Sequence, residues 1–74
     1  MQSYIINLNN IEELQMIKDE AELQRILLRA KSTIVQGETV ILQRTNPDGS
    51  NNTVDELTTE KDLEQYREKV LKFL

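Results

Sequence analysis

The sequence predicts an α+β domain in which two amphipathic helices pack on one face of a small three- or four-stranded antiparallel sheet. Three observations carry this reading: an apolar stripe at helical spacing between residues 19 and 37, a second between 59 and 74, and short apolar runs with strand character at residues 4–8 and 40–42. With 74 residues, 38% of them hydrophobic and 30% charged, the chain can bury one core and is too short for two. Residues 1–74 therefore read as a single domain.

"SYIINLN" alternates Tyr4, Ile6 and Leu8 around Ile5 and opens the chain as a strand. The next stretch, "NNIEELQMI" at residues 9–17, leaves two readings open. As a strand closing a hairpin with the first, it gives the order ββαββα; as a helical turn over residues 10–14, it gives βαββα. Asn10 followed by Glu13 could even cap a helix running through to Gln36. Ile11, Leu14, Met16 and Ile17 scatter around the wheel and do not extend the later stripe, so a break is expected near Lys18. An internal echo favours the hairpin: Ile11, Glu12, Glu13, Leu14, Lys18 and Asp19 recur 43 residues later as Val54, Asp55, Glu56, Leu57, Lys61 and Asp62.

The first long helix is the clearest element. Asp19 is a plausible N-cap with Glu22 three residues on, and Gly37 can adopt the left-handed conformation that ends a helix. At about 100° per residue, Leu23, Ile26, Leu27, Ala30 and Ile34 fall within an arc of about 100°, the width of a core-facing stripe. "ETVILQRT" then reads as a strand centred on Val40, Ile41 and Leu42, and "TVDELTT" as a weaker one. Thr59 caps the closing helix, with Asp62 at its third position, and Leu63, Tyr66, Val70, Phe73 and Leu74 share one side.

Between the two later strands lies "NPDGSNNT", residues 46–53, whose oxygens invite a comparison with a calcium loop. Setting Gly49 at the sixth position of an EF-hand loop puts Asn46 and Asp48 where ligands belong. It also puts Arg44 where the first carboxylate is needed and Asp55 where a bidentate Glu is needed. Pro47, Asp48 and Gly49 suit a tight turn, so the segment reads as a hairpin connection.

Composition excludes much chemistry. There is no cysteine and no histidine, so disulfides, thiolate metal sites, and the commonest general base and metal ligand are all missing. The pairs Glu12–Glu13 and Asp55–Glu56 would point to opposite faces of a strand and could not converge on one substrate atom. Two glycines this far apart build no phosphate cradle. The reading is therefore a non-catalytic chain with no cofactor, no metal site and no evident small-molecule substrate. No apolar run approaches the roughly 20 residues needed to cross a bilayer, and no signal peptide is recognisable, so the expected location is cytoplasmic without membrane attachment.

Net charge is −4, which disfavours a broad nucleic-acid footprint. The charges are not evenly spread. Residues 24–45 hold four basic side chains, Arg25, Arg29, Lys31 and Arg44, against one acid, Glu38. Leu28 and Val35 add the most informative feature, standing about 100° or more from the centre of the core stripe, one heptad apart, with Ala21 in line. Either the second helix covers them or they face a partner. The functional expectation is a small protein-interaction or regulatory module, binding another protein or a second copy through Leu28, Val35, Arg25, Arg29, Lys31 and Arg44. The alternative is a nucleic-acid contact through the same basic residues.

Overall fold

A computed structural model describes residues 3–72. Six elements follow one another: β1 (Tyr4–Asn7), α1 (Leu8–Met16), α2 (Glu20–Val35), β2 (Val40–Thr45), β3 (Asn51–Leu57) and α3 (Glu60–Leu71). The class is α+β, but the order is βααββα, with three helices in place of two. Both expected orders, ββαββα and βαββα, are corrected by residues 8–16, which form a full helix and neither a strand nor a single turn.

The sheet is mixed and not antiparallel. β2 lies in the centre, parallel to β1 on one side and antiparallel to β3 on the other. The parallel pairing follows from α1 itself. Two antiparallel strands can be joined by a tight turn, whereas a strand that leaves through helices before pairing again can return in parallel. In β1–β2 the register matches Tyr4 with Val40 through Asn7 with Gln43. In β2–β3 it shifts between Leu42 and Gln43, leaving Val54 as an extra residue in the edge strand.

Why α1 was hidden in the sequence is now clear. Met16 and Ile17, two of the four apolar residues that scattered around the wheel, are 79% and 66% exposed. Without them, the half-buried Leu8 and the buried Ile11 and Leu14 are spaced by three residues, as a helical stripe requires. The N-cap is Asn7, not Asn10; its side chain accepts the Asn9 N–H at 2.9 Å. The expected break does fall at Lys18, which adopts φ +55°. Lys18 N–H donates to Gln15 O and Asp19 N–H to Leu14 O, the paired bonds of a Schellman stop. The internal echo has no structural counterpart, since Ile11–Leu14 is helical and Val54–Leu57 extended.

α2 forms as its sequence dictates. Asp19 accepts the Glu22 N–H at 3.1 Å, and Gly37, at φ +84°, closes a second Schellman stop through Gly37 N–H to Ile34 O and Glu38 N–H to Thr33 O. Leu23, Leu27, Ala30 and Ile34 are buried, and Ile26 is partly so. For α3, Thr59 accepts the Asp62 N–H at 3.1 Å, and Leu63 and Val70 are buried. Phe73 and Leu74 lie outside the described residues.

The core is one cluster between the helices and a single face of the sheet. Ile6, Val40, Leu42 and Leu57 contribute from the strands, and Ile11, Leu14, Leu23, Leu27, Ala30, Ile34, Leu63 and Val70 from the helices. Principal extents of 30 × 29 × 16 Å match a slab two layers thick. The β2–β3 loop is the expected hairpin. Asn46 N–H donates to Ser50 O at 2.8 Å, Gly49 sits at φ +90°, and Asp48 Oδ1 accepts from both the N–H and the hydroxyl of Ser50. Asp48 Oδ1, one of the oxygens that suggested a calcium loop, thus serves the turn itself. No helix among the described residues is long and apolar enough to cross a membrane.

Candidate interaction surface

α2 presents its buried stripe to the sheet and so turns Leu28, one residue past the buried Leu27, away from the core. The side chains of Leu28 and Val35 are correspondingly open, at 70% and 66% exposure. α3 does pack beside α2, but against its Leu27 side, leaving a groove of about 270 Å³ between the helices. Leu27 and Leu63 are the buried residues of this groove, while Gln24, Leu28 and Lys31 border it from α2 and Glu64 and Arg67 from α3. Leu28 is therefore a rim residue and Val35 lies beyond it; the second helix covers neither.

The four basic candidates do not converge. Arg25 is held by Glu22, whose carboxylate accepts from Nε at 3.1 Å and from an Nη, an exposed pair one helical turn apart. Arg29 lies over the Tyr4 ring at 4.9 Å from its centre, where the cation meets the negative face of the ring. Lys31 borders the α2–α3 groove. Arg44 stands on β2 and pairs with Glu12 of α1. The hydrogen bond from Arg44 holds the Glu12 carboxyl below its usual range against the opposing effect of burial, with the charge of Arg44 adding to the lowering, and Glu12 raises the Arg44 guanidinium in return.

A second concavity, about 350 Å³, lies elsewhere, between β3 and α3. Leu8, Leu42, Leu57 and Tyr66 supply its apolar wall, with Asp55, Glu56, Asp62 and Lys69 around it. The Tyr66 hydroxyl is buried without a hydrogen-bond partner, and burial, with the nearby charge of Glu12, pushes its pKa up to about 12. Such a phenol stays neutral and makes a poor base near pH 7. Asp62 accepts from the Thr58 N–H and hydroxyl, and together with the Thr59 cap these bonds lower its pKa. Its carboxylate serves the start of α3. Among the described residues no three His, Cys, Asp or Glu side chains are grouped to hold a metal ion.

Two features were missed in the sequence. One is the exposed pair Met16–Ile17 at the α1–α2 corner, whose neighbourhood to the left-handed Lys18 marks it as turn and not core. The other is the asparagine-rich "NLNN", in which Asn7 and Asn9 both bond to Thr45. Together, fold and surface define a two-layer α+β protein with one helix flank left open. Comparison with protein-family models, curated proteins and solved structures finds no match for this chain.

Proposed function

We propose that the chain is a small non-catalytic module that binds another protein through the open flank of α2. The observation that carries this is the exposure of Leu28 and Val35, one heptad apart beside the α2–α3 groove. Aliphatic side chains of this size gain by leaving water, and a row of them along a helix edge suits a partner helix or a second copy of the same surface. The non-catalytic part rests on chemistry: without cysteine or histidine, an enzyme here would need carboxylates with raised pKa values in a cleft. The shifted carboxylates Glu12, Asp48 and Asp62 are all lowered, which argues against that role.

The nucleic-acid alternative through Arg25, Arg29, Lys31 and Arg44 draws less support. Two of these charges are paired with acids, and Arg29 lies over the half-buried ring of Tyr4, which takes that face from a stacking base. Leu28→Asp separates the readings. The variant should fold with an unchanged melting temperature and solution mass if the flank awaits a different protein, whereas a dimer that dissociates into folded monomers would make the flank a self-interface. Loss of the folded state on this substitution would make Leu28 part of the core and sink the proposal.

A further inference from the structure

Beyond its first turn, which holds Glu20 and Glu22, α2 carries charges of one sign. From Leu23 to Val35, α2 carries three basic residues, Arg25, Arg29 and Lys31, and no acidic one, in a chain whose net charge is −4. Glu22 neutralises Arg25 from the first turn, and on the facing helix Arg67 is paired with Glu64 at 3.5 Å. Of the three α2 cations, Arg29, which lies over Tyr4, and Lys31 are in none of the described ion pairs, and both follow Leu28 within one turn. Ala21, Leu28 and Val35 form a heptad row about 20 Å long at 1.5 Å per residue, the length of four turns of a partner helix.

We propose that this row seats an amphipathic helix of another protein whose apolar edge meets Leu28 and Val35 and whose flanking residues are acidic, meeting Lys31 at the rim of the groove. The proposal rests on the docking reading of the flank and names the chemistry of its occupant. Rim charges of opposite sign steer and orient such a helix, while the apolar pair contributes the dry contact. A second copy of the chain fits less well. An antiparallel α2–α2 contact about Leu28 would set Arg25 against Lys31 of the other copy, and a parallel one would set Lys31 against Lys31, both pairs of like charge. A polyanionic nucleic acid would use the cations but gain nothing from Leu28 and Val35.

The test uses two synthetic helical peptides with the same leucine heptad row, one flanked by Glu and the other by Lys, titrated into the ¹⁵N-labelled protein. The Glu peptide should shift amides of residues 21–35 saturably and bind more weakly as salt is raised. The Lys peptide should bind at least about tenfold more weakly, a difference of about 1.4 kcal/mol. Lys31→Glu should narrow or invert that preference without unfolding the chain, and Leu28→Asp should abolish binding of both peptides. Equal binding of the two peptides at α2 would overturn the acidic partner while leaving the docking surface standing. Shifts confined to other elements, or none with either peptide, would overturn both. A single-stranded oligonucleotide that shifts these amides more strongly than the Glu peptide would replace the protein partner with a nucleic acid.

Discussion

The side chain of Asn9 continues the β1–β2 ladder after the backbone of β1 has left it: Nδ2 donates to Thr45 O at 3.0 Å, and Oδ1 accepts the Thr45 N–H at 3.3 Å. Every backbone pair in this ladder joins residues 36 apart, and Asn9 and Thr45 are also 36 apart, so the amide keeps the register two places past Asn7 and Gln43. The chain has turned into α1 by Asn9, and an asparagine amide carries the same donor and acceptor as the peptide group it replaces. Asn7 Nδ2 adds a bond to the Thr45 hydroxyl, which donates onward to Asn51 Oδ1 and ties all three strands together.

Asn9→Ala should therefore destabilise the fold by about 1 kcal/mol, the net worth of a hydrogen-bonded polar pair at a part-open site. Urea denaturation measures the loss, and the amide of Thr45 should exchange faster with solvent. Asn9→Asp should be worse than Ala, because it sets a carboxylate oxygen against the Thr45 carbonyl.

Lys18 holds a left-handed conformation that costs a residue with a β-carbon about 1–2 kcal/mol, partly offset by the greater chain entropy that glycine loses on folding. Lys18→Gly should thus stabilise the protein by up to about 1 kcal/mol, seen as a higher denaturation midpoint. Gly37→Ala is the reverse experiment. Nothing lies within 4 Å of a β-carbon placed there, so its cost, about 1 kcal/mol, should come from the φ of +84° alone.

Two leucines on α2 should behave oppositely. Leu23 is fully buried, so truncation to Ala opens a cavity and should cost about 2–5 kcal/mol. Leu28→Ala should stay within about 0.5 kcal/mol of the parent. Paired thermal and urea melts decide this, and comparable losses at the two sites would show that Leu28 packs in the core.

In acid, the lowered pKa values of Glu12, Asp48 and Asp62 mean that the folded state binds those protons less tightly than the unfolded chain. Their stabilisation is present above the unfolded carboxylate pKa of about 4 and is lost as the pH falls through the folded values. Arg44→Gln should remove the share due to Glu12, giving a shallower fall in stability between about pH 5 and 2.

In base the sign is reversed, because the folded state holds the Tyr66 proton more tightly than the unfolded chain does. Tyr66 has its folded pKa raised to about 12, so its contribution is intact below the unfolded value of about 10 and is lost as the pH rises through 12. Tyr66→Phe should flatten that loss. Because the hydroxyl has no partner, the substitution should cost nothing at pH 7 and could add a fraction of about 1 kcal/mol. Absorbance titration of a Tyr4→Phe variant reads the Tyr66 phenol directly.

Much of the candidate surface was legible in the chain, because Leu28 and Val35 stand off a stripe whose centre is marked by Leu23, Leu27 and Ala30. What periodicity could not resolve was whether α3 covers them. That depends on which side of α2 the second helix meets, and the choice is made by Leu63 packing at the Leu27 side. The scatter of the basic residues was likewise invisible, since Arg25 and Arg29 share a helix face in projection while one turns to Glu22 and the other to Tyr4.

By itself the sequence determined the elements whose signals lie within a turn or two of chain: the caps at Asp19 and Thr59, the stops at Lys18 and Gly37, the hairpin at Pro47–Gly49 and the buried stripes of α2 and α3. Only the tertiary structure decided that residues 8–16 are helical, that β1 runs parallel to β2, and that the flank of α2 stays open. Each of those outcomes depends on partners far away in the chain, as Asn9 depends on Thr45 and Gln15 on the carbonyl of Val70, 55 residues on. Local propensity and periodicity hold no record of such partners, because their free energy exists only once the core has brought them together.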